Sequence, residues 1–111
     1  MPGSERVILF VDRLPRDLRV TIVSGERIAR IEPTWLAVTL RSSPTRKDAY
    51  VLYYLSESGE VLALDPCDLL DDVYGKALSL ARVHRDRWRS CDVLLPDDWS
   101  RIPRTLVQAG H

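Results

Sequence analysis

Short apolar runs separated by polar or glycine-containing breaks fill the first part of the chain, and this pattern is typical of β-strands. Three such runs cover residues 6–11, 18–23 and 27–31. A fourth apolar run lies within residues 33–41. Its β-branched valine and threonine favour a strand, although a helix stays possible at this stage. The first part of the chain is therefore predicted to consist of consecutive strands.

The strongest signal for a local supersecondary structure is a hairpin in the middle of the chain. Residues 49–55 form the longest apolar run, and residues 61–64 form another directly after a turn that contains Gly59. Two apolar runs on either side of such a turn predict a β-hairpin. The polar residues 41–48 in front of it predict a loop.

One amphipathic helix is predicted over residues 66–84. Asp65 is the expected N-cap, because Pro66 then takes the first helical position, where its missing N–H costs nothing. Spacings of three and four place a set of mostly apolar residues on one side of this helix. They are Leu70, Val73, Tyr74, Ala77, Leu80, Ala81 and His84.

The order of these elements predicts an α+β domain that spans residues 1–111. Most strands precede the helix, which favours a mainly antiparallel sheet of six or seven short strands with the helix over 66–84 packed on one face. Residues 91–96 can add one more strand, and Pro96 suggests a sheet edge or a strand end. Residues 100–111 are expected to form a loosely packed tail.

Charge is distributed in blocks although the net charge of the chain is zero. Residues 1–47 carry nine basic and five acidic groups, whereas residues 48–75 carry seven acidic groups and no basic one. Residues 76–111 carry seven basic and four acidic groups. Zero net charge argues against a uniformly basic nucleic-acid binder. The acidic middle block instead indicates a possible contact surface for a cationic partner.

The lengths of the apolar runs and the first residues of the chain bear on the cellular compartment of the protein. The longest apolar run has seven residues, whereas a membrane span needs roughly 20. The first residues do not resemble a secretory signal. We therefore expect a soluble cytoplasmic protein without a membrane partner. Cys67 and Cys91 are then expected to be free thiols, although a bridge between them stays open.

Motifs for catalysis, metal binding or cofactor binding are missing from the sequence. His84 and His111 do not fit a metal-ligand spacing, and the two cysteines lack the spacing of a zinc site. No glycine-rich phosphate loop or Gly-x-Ser-x-Gly motif is present. We therefore predict no catalytic residue, no metal ligand and no cofactor.

Two alternative functions stay open at this point. The first is a small enzyme or nucleotide-handling protein, in which nearby arginines lower the pKa of the Cys91 thiol. Those arginines are Arg85, Arg87 and Arg89, and the proposed site lies near Cys91 and the stretch from Arg82 to Arg89. The second alternative is a structural homodimer, in which a strand such as the one over residues 7–11 pairs with a second copy at a sheet edge.

Residues 50–88 combine a tyrosine-rich strand, a glycine hairpin, a second strand and a helix that begins with an Asp-Asp-hydrophobic sequence and leads to a tryptophan. The residues that carry this pattern are Tyr50, Tyr53, Tyr54, Gly59, Asp71, Asp72, Val73, Ala77 and Trp88. The segment resembles small bacterial proteins that include immunity proteins of polymorphic toxin systems. The resemblance implies a non-enzymatic inhibitor whose partner is a cognate protein toxin, and it assigns no functional residue.

The acidic block gives the predicted contact residues. Glu57 and Glu60 lie at the expected hairpin turn, and Asp71 and Asp72 lie in the first part of the expected helix. Exposed carboxylates steer the approach of a cationic partner and contribute to specificity. The leading hypothesis is therefore a protein-binding domain that neutralises a toxin through these four acids.

Overall fold

A computed structural model describes residues 4–43 and 46–109 of the chain. Within these ranges the chain forms seven strands, two α-helices and one 3-10 turn. The strands are β1 (Ser4–Val11), β2 (Val20–Ser24), β3 (Arg27–Ile31), β4 (Trp35–Ser43), β5 (Arg46–Leu55), β6 (Val61–Cys67) and β7 (Arg89–Leu94). The helices are α1 (Leu70–Ala81) and α2 (Arg104–Ala109), and the 3-10 turn is Arg85–Arg87.

The strands form two separate antiparallel sheets. Five of them make a central sheet in the order β6-β5-β4-β1-β7, and β2 pairs with β3 in a two-stranded ribbon. The predicted α+β class with antiparallel strands is confirmed. The hairpin predicted around Gly59 is confirmed as β5 and β6, which pair from Leu55 and Val61 to Tyr50 and Cys67.

β4 and β5 form a longer hairpin than the sequence predicts. The expected polar loop over 41–48 is wrong, because Ser43 is already paired with Arg46. Residues 44–45 lie outside the described residues. β4 is paired on both sides, with β1 and with β5, so backbone hydrogen bonds extend it past its apolar part. The same pairing decides that residues 35–43 are a strand and not a helix.

The main helix begins later than predicted. Asp65 and Pro66 belong to β6, and α1 starts at Leu70 with Leu69 as its N-cap. Asp65 is therefore not the N-cap of α1. β6 continues because Cys67 pairs with Tyr50 on β5, and a proline is tolerated there because β6 is an edge strand.

The main helix also ends earlier than predicted. Arg82 adopts a left-handed conformation with a φ of 56°. The backbone N–H of Arg82 donates to the carbonyl of Leu78, and that of Val83 donates to the carbonyl of Ala77. These bonds satisfy the last carbonyls of α1 and turn the chain away, so the helix stops at Ala81 and not near residue 84.

One side of the central sheet, which we call the helix face, is covered by α1 and by the β2–β3 ribbon. This arrangement confirms that the main helix packs on one face of the sheet. Val73, Ala77 and Ala81 are the buried residues of α1. The buried residues that they join are Leu9, Val11, Leu14, Val20, Leu36, Val38, Leu52, Tyr54, Cys67 and Val83.

The other side, which we call the strap face, is covered by residues 95–109, the C-terminal strap. We predicted a loose tail over 100–111, but Ile102 and Val107 are fully buried. Gly59 fixes the strap to the β5–β6 turn, because its carbonyl accepts a hydrogen bond of 2.9 Å from the N–H of Ile102. Its φ is +92°, and a Cβ there would overlap the Ile102 carbonyl. The expected loose tail is therefore wrong for the described part of the strap.

The open edges of the central sheet are β6 and β7. Residues 7–11 belong to β1, which lies between β4 and β7, so the strand proposed for edge pairing in a homodimer is not at an edge. Among the described residues, the helices are too short or too polar to cross a membrane.

Candidate functional site

The four predicted contact acids lie at opposite ends of β6. Glu57 and Glu60 lie at the β5–β6 turn in front of β6, whereas Asp71 and Asp72 lie in the first turn of α1, just after β6. All four side chains are exposed. Seven strand residues separate the two pairs, which corresponds to about 20 Å. The structure therefore does not bring the four acids together into one surface.

The two glutamates at the turn have basic surroundings. Glu57 lines a groove to which Arg13, Arg16 and Arg104 also contribute. Glu60 pairs through its backbone with Arg101 of the C-terminal strap. Because basic and acidic groups are mixed at this end of the sheet, it is not a strongly acidic surface.

The aspartates surround a cleft between β6 and α1, which we call the β6–α1 cleft. Its volume is about 680 Å³, and its wall includes Asp68, Asp71 and Asp72, which we call the acidic rim. Asp71 lies 3.9 Å from the guanidinium of Arg85, and both side chains are largely exposed. Such an ion pair is weak in water. Within the described ranges, neither Asp68 nor Asp72 forms an ion pair.

A shorter ion pair joins α1 to β6 beside this cleft, through Lys76 of the cleft wall. Lys76 of α1 donates from Nζ to Oδ1 of Asp65 on β6 over 2.5 Å. This hydrogen bond raises the pKa of Lys76, so the ammonium stays charged at neutral pH. Lys76 was not predicted as a site residue, because its contact with Asp65 depends on how the helix packs against the strand.

A buried hydroxyl without a partner lies in the helix-face core near Asp65 and Cys67. Tyr54 of β5 is fully buried on the helix face, and its hydroxyl has no hydrogen-bond partner among the described residues. Burial raises the pKa of Tyr54, and the nearby Asp65 carboxylate and Cys67 thiol raise it further. The hydroxyl therefore stays protonated. A buried polar group without a partner costs about 1–3 kcal/mol of stability.

The Cys67 thiol in the cleft wall is not an activated nucleophile. It is buried, and its Sγ donates to the carbonyl of Asp65 over 3.6 Å. Burial raises the pKa of Cys67 by more than the nearby Lys76 ammonium lowers it. The reactive species of a cysteine is the thiolate, which this site disfavours.

The most extensive side-chain network lies on the strap face and was not predicted. Oε2 of Glu5 accepts hydrogen bonds from the hydroxyls of Thr39 (2.6 Å) and Tyr53 (2.8 Å), and Oε1 accepts one from Nε1 of Trp99 (3.0 Å). The Arg41 guanidinium lies 3.6 Å from the same carboxylate. Sequence separations of 34 to 94 residues explain why no local pattern indicated it.

The environment of Cys91 differs from the one that the enzyme alternative requires. Its thiol donates to the carbonyl of Val7 over 3.4 Å. Burial and the nearby Asp92 raise the pKa of Cys91 to about 11. One of the expected arginines, Arg87, instead donates to the backbone carbonyl of Arg13. The expected lowering of this pKa by arginines is wrong.

Neither cysteine forms a disulfide, since Cys67 and Cys91 are both free thiols. Across residues 4–43 and 46–109, no cluster of three His, Cys, Asp or Glu side chains is arranged to hold a metal ion. In comparisons with known proteins, no family model matches the chain, and no curated protein or solved structure matches it.

Proposed function

We propose that the chain is a non-enzymatic protein-binding domain that uses the acidic rim of Asp68, Asp71 and Asp72 to bind a cationic protein surface. The specific form that we propose is an immunity-type inhibitor that neutralises a bacterial toxin in the cytoplasm. The observation that carries the proposal is the exposure of these three carboxylates around one cleft. Carboxylates in such an arrangement steer the approach of a cationic partner.

An exposed apolar side chain lies within the acidic sequence that forms the rim. Leu69, between Asp68 and Leu70, is 62% exposed. Protein interfaces combine apolar contacts at the centre with polar groups around them. Leu69 therefore supplies apolar contact area, while the surrounding aspartates supply charge complementarity.

The local structure keeps these acids in place without a partner. Asp71 and Asp72 lie in the first turn of α1, where the partial positive charge of the helix N-terminus stabilises carboxylates. The Lys76–Asp65 bond fixes this part of α1 against β6. The acidic rim is therefore held in a defined position before a partner binds, which lowers the entropy cost of association.

The proposal is tested with the protein encoded beside this chain in its genome. Coexpression should give a complex on affinity purification and should protect cells from growth arrest. The double variant Asp71→Lys/Asp72→Lys should slow association by about tenfold or more at low salt, because steering depends on charge. The difference should shrink as salt is raised.

The double variant Glu57→Lys/Glu60→Lys is the matched control, because it changes net charge equally at the other end of β6. The proposal requires this control to bind nearly as fast as the unchanged protein. If both double variants slow association equally, the association rate depends on the overall charge of the molecule and not on the acidic rim. If neither a complex nor growth protection is observed, the inhibitor hypothesis is wrong.

A further inference from the structure

The arginine-rich stretch that follows α1 contributes to two different places in the molecule. The Arg85 guanidinium lies over the ring of Tyr74, 4.5 Å from its centroid. Arg87 and Arg89 instead line a pocket of about 410 Å³ together with Arg13, which we call the arginine pocket. These three arginines therefore belong to a concave site that the proposed function does not use.

Two segments that are distant in sequence form the arginine pocket. Arg13 belongs to the loop after β1, whereas Arg87 ends the 3-10 turn and Arg89 begins β7. The pairing of Arg89 with Phe10 brings these segments together. The opposite end of β1 is aligned, through β4 and β5, with the end of β6 that leads to the acidic rim. The arginine pocket and the acidic rim therefore lie at opposite ends of the central sheet.

A contact with the backbone holds one guanidinium of the pocket in place. Nη2 of Arg87 donates to the backbone carbonyl of Arg13 over 2.7 Å. A guanidinium has several N–H donors, so this bond leaves others available to a ligand. The Arg87 side chain is thus positioned at the pocket wall before a ligand binds, which lowers the entropy cost of binding.

The arginine pocket has an excess of positive charge. The charged residues that line it are Arg13, Arg87, Arg89, Asp12 and Asp86. Asp12 is neutralised by Arg104, whose Nε lies 3.5 Å from its carboxylate and whose Nη2 donates to its backbone carbonyl. Within residues 4–43 and 46–109, none of the three arginines of the pocket forms an ion pair, and Asp86 is the one lining carboxylate left to offset them. Because guanidinium groups stay charged at all ordinary pH values, the pocket attracts an anion.

Phosphate is the anion that matches this arrangement. The planar fork of a guanidinium donates two parallel hydrogen bonds to a phosphate, and a phosphate can accept such bonds from more than one side. A phosphomonoester carries a charge of about −1.5 to −2 at pH 7, whereas a carboxylate carries a single charge. We propose that the arginine pocket binds a phosphoryl group, either of free phosphate or of a small phosphorylated molecule. This site goes beyond the proposed function and does not depend on it, since no residue of the acidic rim lines the pocket.

Space for the organic part of a phosphorylated molecule lies beside the pocket. Arg13 also lines the groove that contains Arg16, Thr34 and Glu57, and the volume of this groove is about 690 Å³. Sites for small molecules usually have volumes of about 300–1,000 Å³. A ligand whose phosphoryl group lies in the arginine pocket can therefore extend past Arg13 into the groove.

The first test uses small probes and the full chain. Inorganic phosphate, ribose 5-phosphate and acetate are titrated at fixed ionic strength while amide NMR shifts are recorded. Phosphate should give saturable shifts at residues 12–13 and 86–89, with a dissociation constant on the order of millimolar. Acetate should cause no saturable shifts. Tighter binding of ribose 5-phosphate than of phosphate would identify a phosphorylated molecule as the ligand, whereas equal binding would identify free phosphate.

Substitutions of the arginines test whether the pocket itself binds the phosphate. Arg89→Gln should weaken phosphate binding by about tenfold, as expected for a hydrogen bond between charged groups. Arg87→Gln/Arg89→Gln should abolish saturable binding. The matched control is Arg27→Gln/Arg30→Gln on β3, which changes the net charge equally at two exposed arginines outside the pocket. This control should bind phosphate nearly as tightly as the unchanged protein. If loss of the contact between Arg87 and the Arg13 carbonyl destabilises the fold, Arg89→Gln carries the test.

Three results would overturn the inference: no saturable shifts with phosphate, binding of acetate as tight as that of phosphate, or equal weakening by the two double variants. The partner experiment decides the proposed function separately. Phosphate binding in the absence of any partner complex would support the arginine pocket and overturn the proposed function alone. A partner complex without phosphate binding would overturn this inference and leave the proposed function standing.

Discussion

Two adjacent tyrosines on β5 show how the two faces of the central sheet differ. Tyr53 points to the strap face, where its hydroxyl donates to Glu5 over 2.8 Å and accepts a hydrogen bond from Arg41 over 3.2 Å. Tyr54 points to the helix face, and its hydroxyl has no partner in the described residues. Both side chains are almost completely buried. The same residue type at neighbouring positions therefore has opposite hydrogen-bonding status.

The difference between the two tyrosines follows from the residues packed around each hydroxyl. On the strap face, the Glu5 carboxylate joins three strands of the chain to Trp99 of the strap, and Tyr53 packs edge-on against Trp99 with ring centroids 5.2 Å apart. On the helix face, the Tyr54 hydroxyl has no partner in the described residues; the strap face also contains one unpartnered buried group of this kind, Nε1 of Trp35. The Glu5 network therefore fixes the strap to the sheet and satisfies the Tyr53 hydroxyl, whereas the described residues around Tyr54 offer its hydroxyl no partner.

The largest effect is expected at the attachment of the strap. Gly59→Ala introduces a Cβ at a positive φ and overlaps the Ile102 carbonyl. It should lower the free energy of unfolding by about 3 kcal/mol or more, since left-handed strain costs about 1–2 kcal/mol and overpacking about 1–3 kcal/mol. Gly25→Ala is the matched control, because Gly25 also has a positive φ but no atom lies within 4 Å of the added Cβ. Urea denaturation should show a loss of about 1 kcal/mol there; equal losses would show that the strap contact at Gly59 is unimportant.

The next largest effect is expected from removal of the Tyr53 hydroxyl, and removal of the Tyr54 hydroxyl provides the comparison. Tyr53→Phe removes a hydrogen bond to a carboxylate and should lower the free energy of unfolding by about 2 kcal/mol. Tyr54→Phe removes a hydroxyl that has no partner, so it should be neutral or stabilise the protein by up to about 1 kcal/mol. Urea denaturation of the two variants measures both values. A loss at Tyr54 as large as that at Tyr53 would contradict the contrast between the faces.

A smaller effect is expected at alkaline pH. Burial and the Glu5 carboxylate together raise the pKa of Tyr53 from 10.0 to about 12. Because the pKa is higher in the folded state, the contribution of this group to stability is complete below pH 10 and is lost as pH rises towards 12. Between pH 10 and 11 the loss should be about 1 kcal/mol.

The difference in unfolding free energy between the unchanged protein and Tyr53→Phe isolates this contribution, since other titrating groups are common to both. This difference in unfolding free energy should decrease by about 1 kcal/mol between pH 10 and pH 11. A constant difference would mean that Tyr53 does not titrate as described.

The smallest effect is expected at the acidic rim. Asp71→Asn removes an ion pair between two exposed side chains, so the free energy of unfolding should change by less than about 0.5 kcal/mol. Thermal denaturation at two salt concentrations provides the measurement. A loss comparable to that of Tyr53→Phe would show that the rim stabilises the fold, which would weaken its assignment to binding.

Features with a local signal were predictable from the sequence. The β5–β6 hairpin follows from two apolar runs around Gly59, and the buried stripe of α1 follows from the four-residue spacing of Val73, Ala77 and Ala81. The start of α1 was not predictable in this way. Asp65 and Pro66 fit a helix cap as well as an edge strand, and the pairing of Cys67 with Tyr50 decides between them.

The candidate site was predictable only in part. Asp71 and Asp72 are identifiable from the sequence, because they belong to the acidic block and lie in the first part of the predicted helix. The contact between Asp65 and Lys76 depends on the packing of α1 against β6, and the missing partner of Tyr54 depends on everything packed around its hydroxyl. Burial and hydrogen-bond satisfaction are properties of the folded chain, and no residue pattern encodes them locally.

The Glu5 network also has a consequence for folding during synthesis. Glu5 and Trp99 are separated by 94 residues, and β1 pairs with β7, so this face contains the contacts of highest sequence separation. Contacts of this kind form late, because a long loop must close first. On the ribosome, the apolar strap-face side chains of β1, β4 and β5 therefore stay uncovered until the strap has emerged. By contrast, α1 precedes the strap in the chain, so it has been made by then and can already cover the helix face.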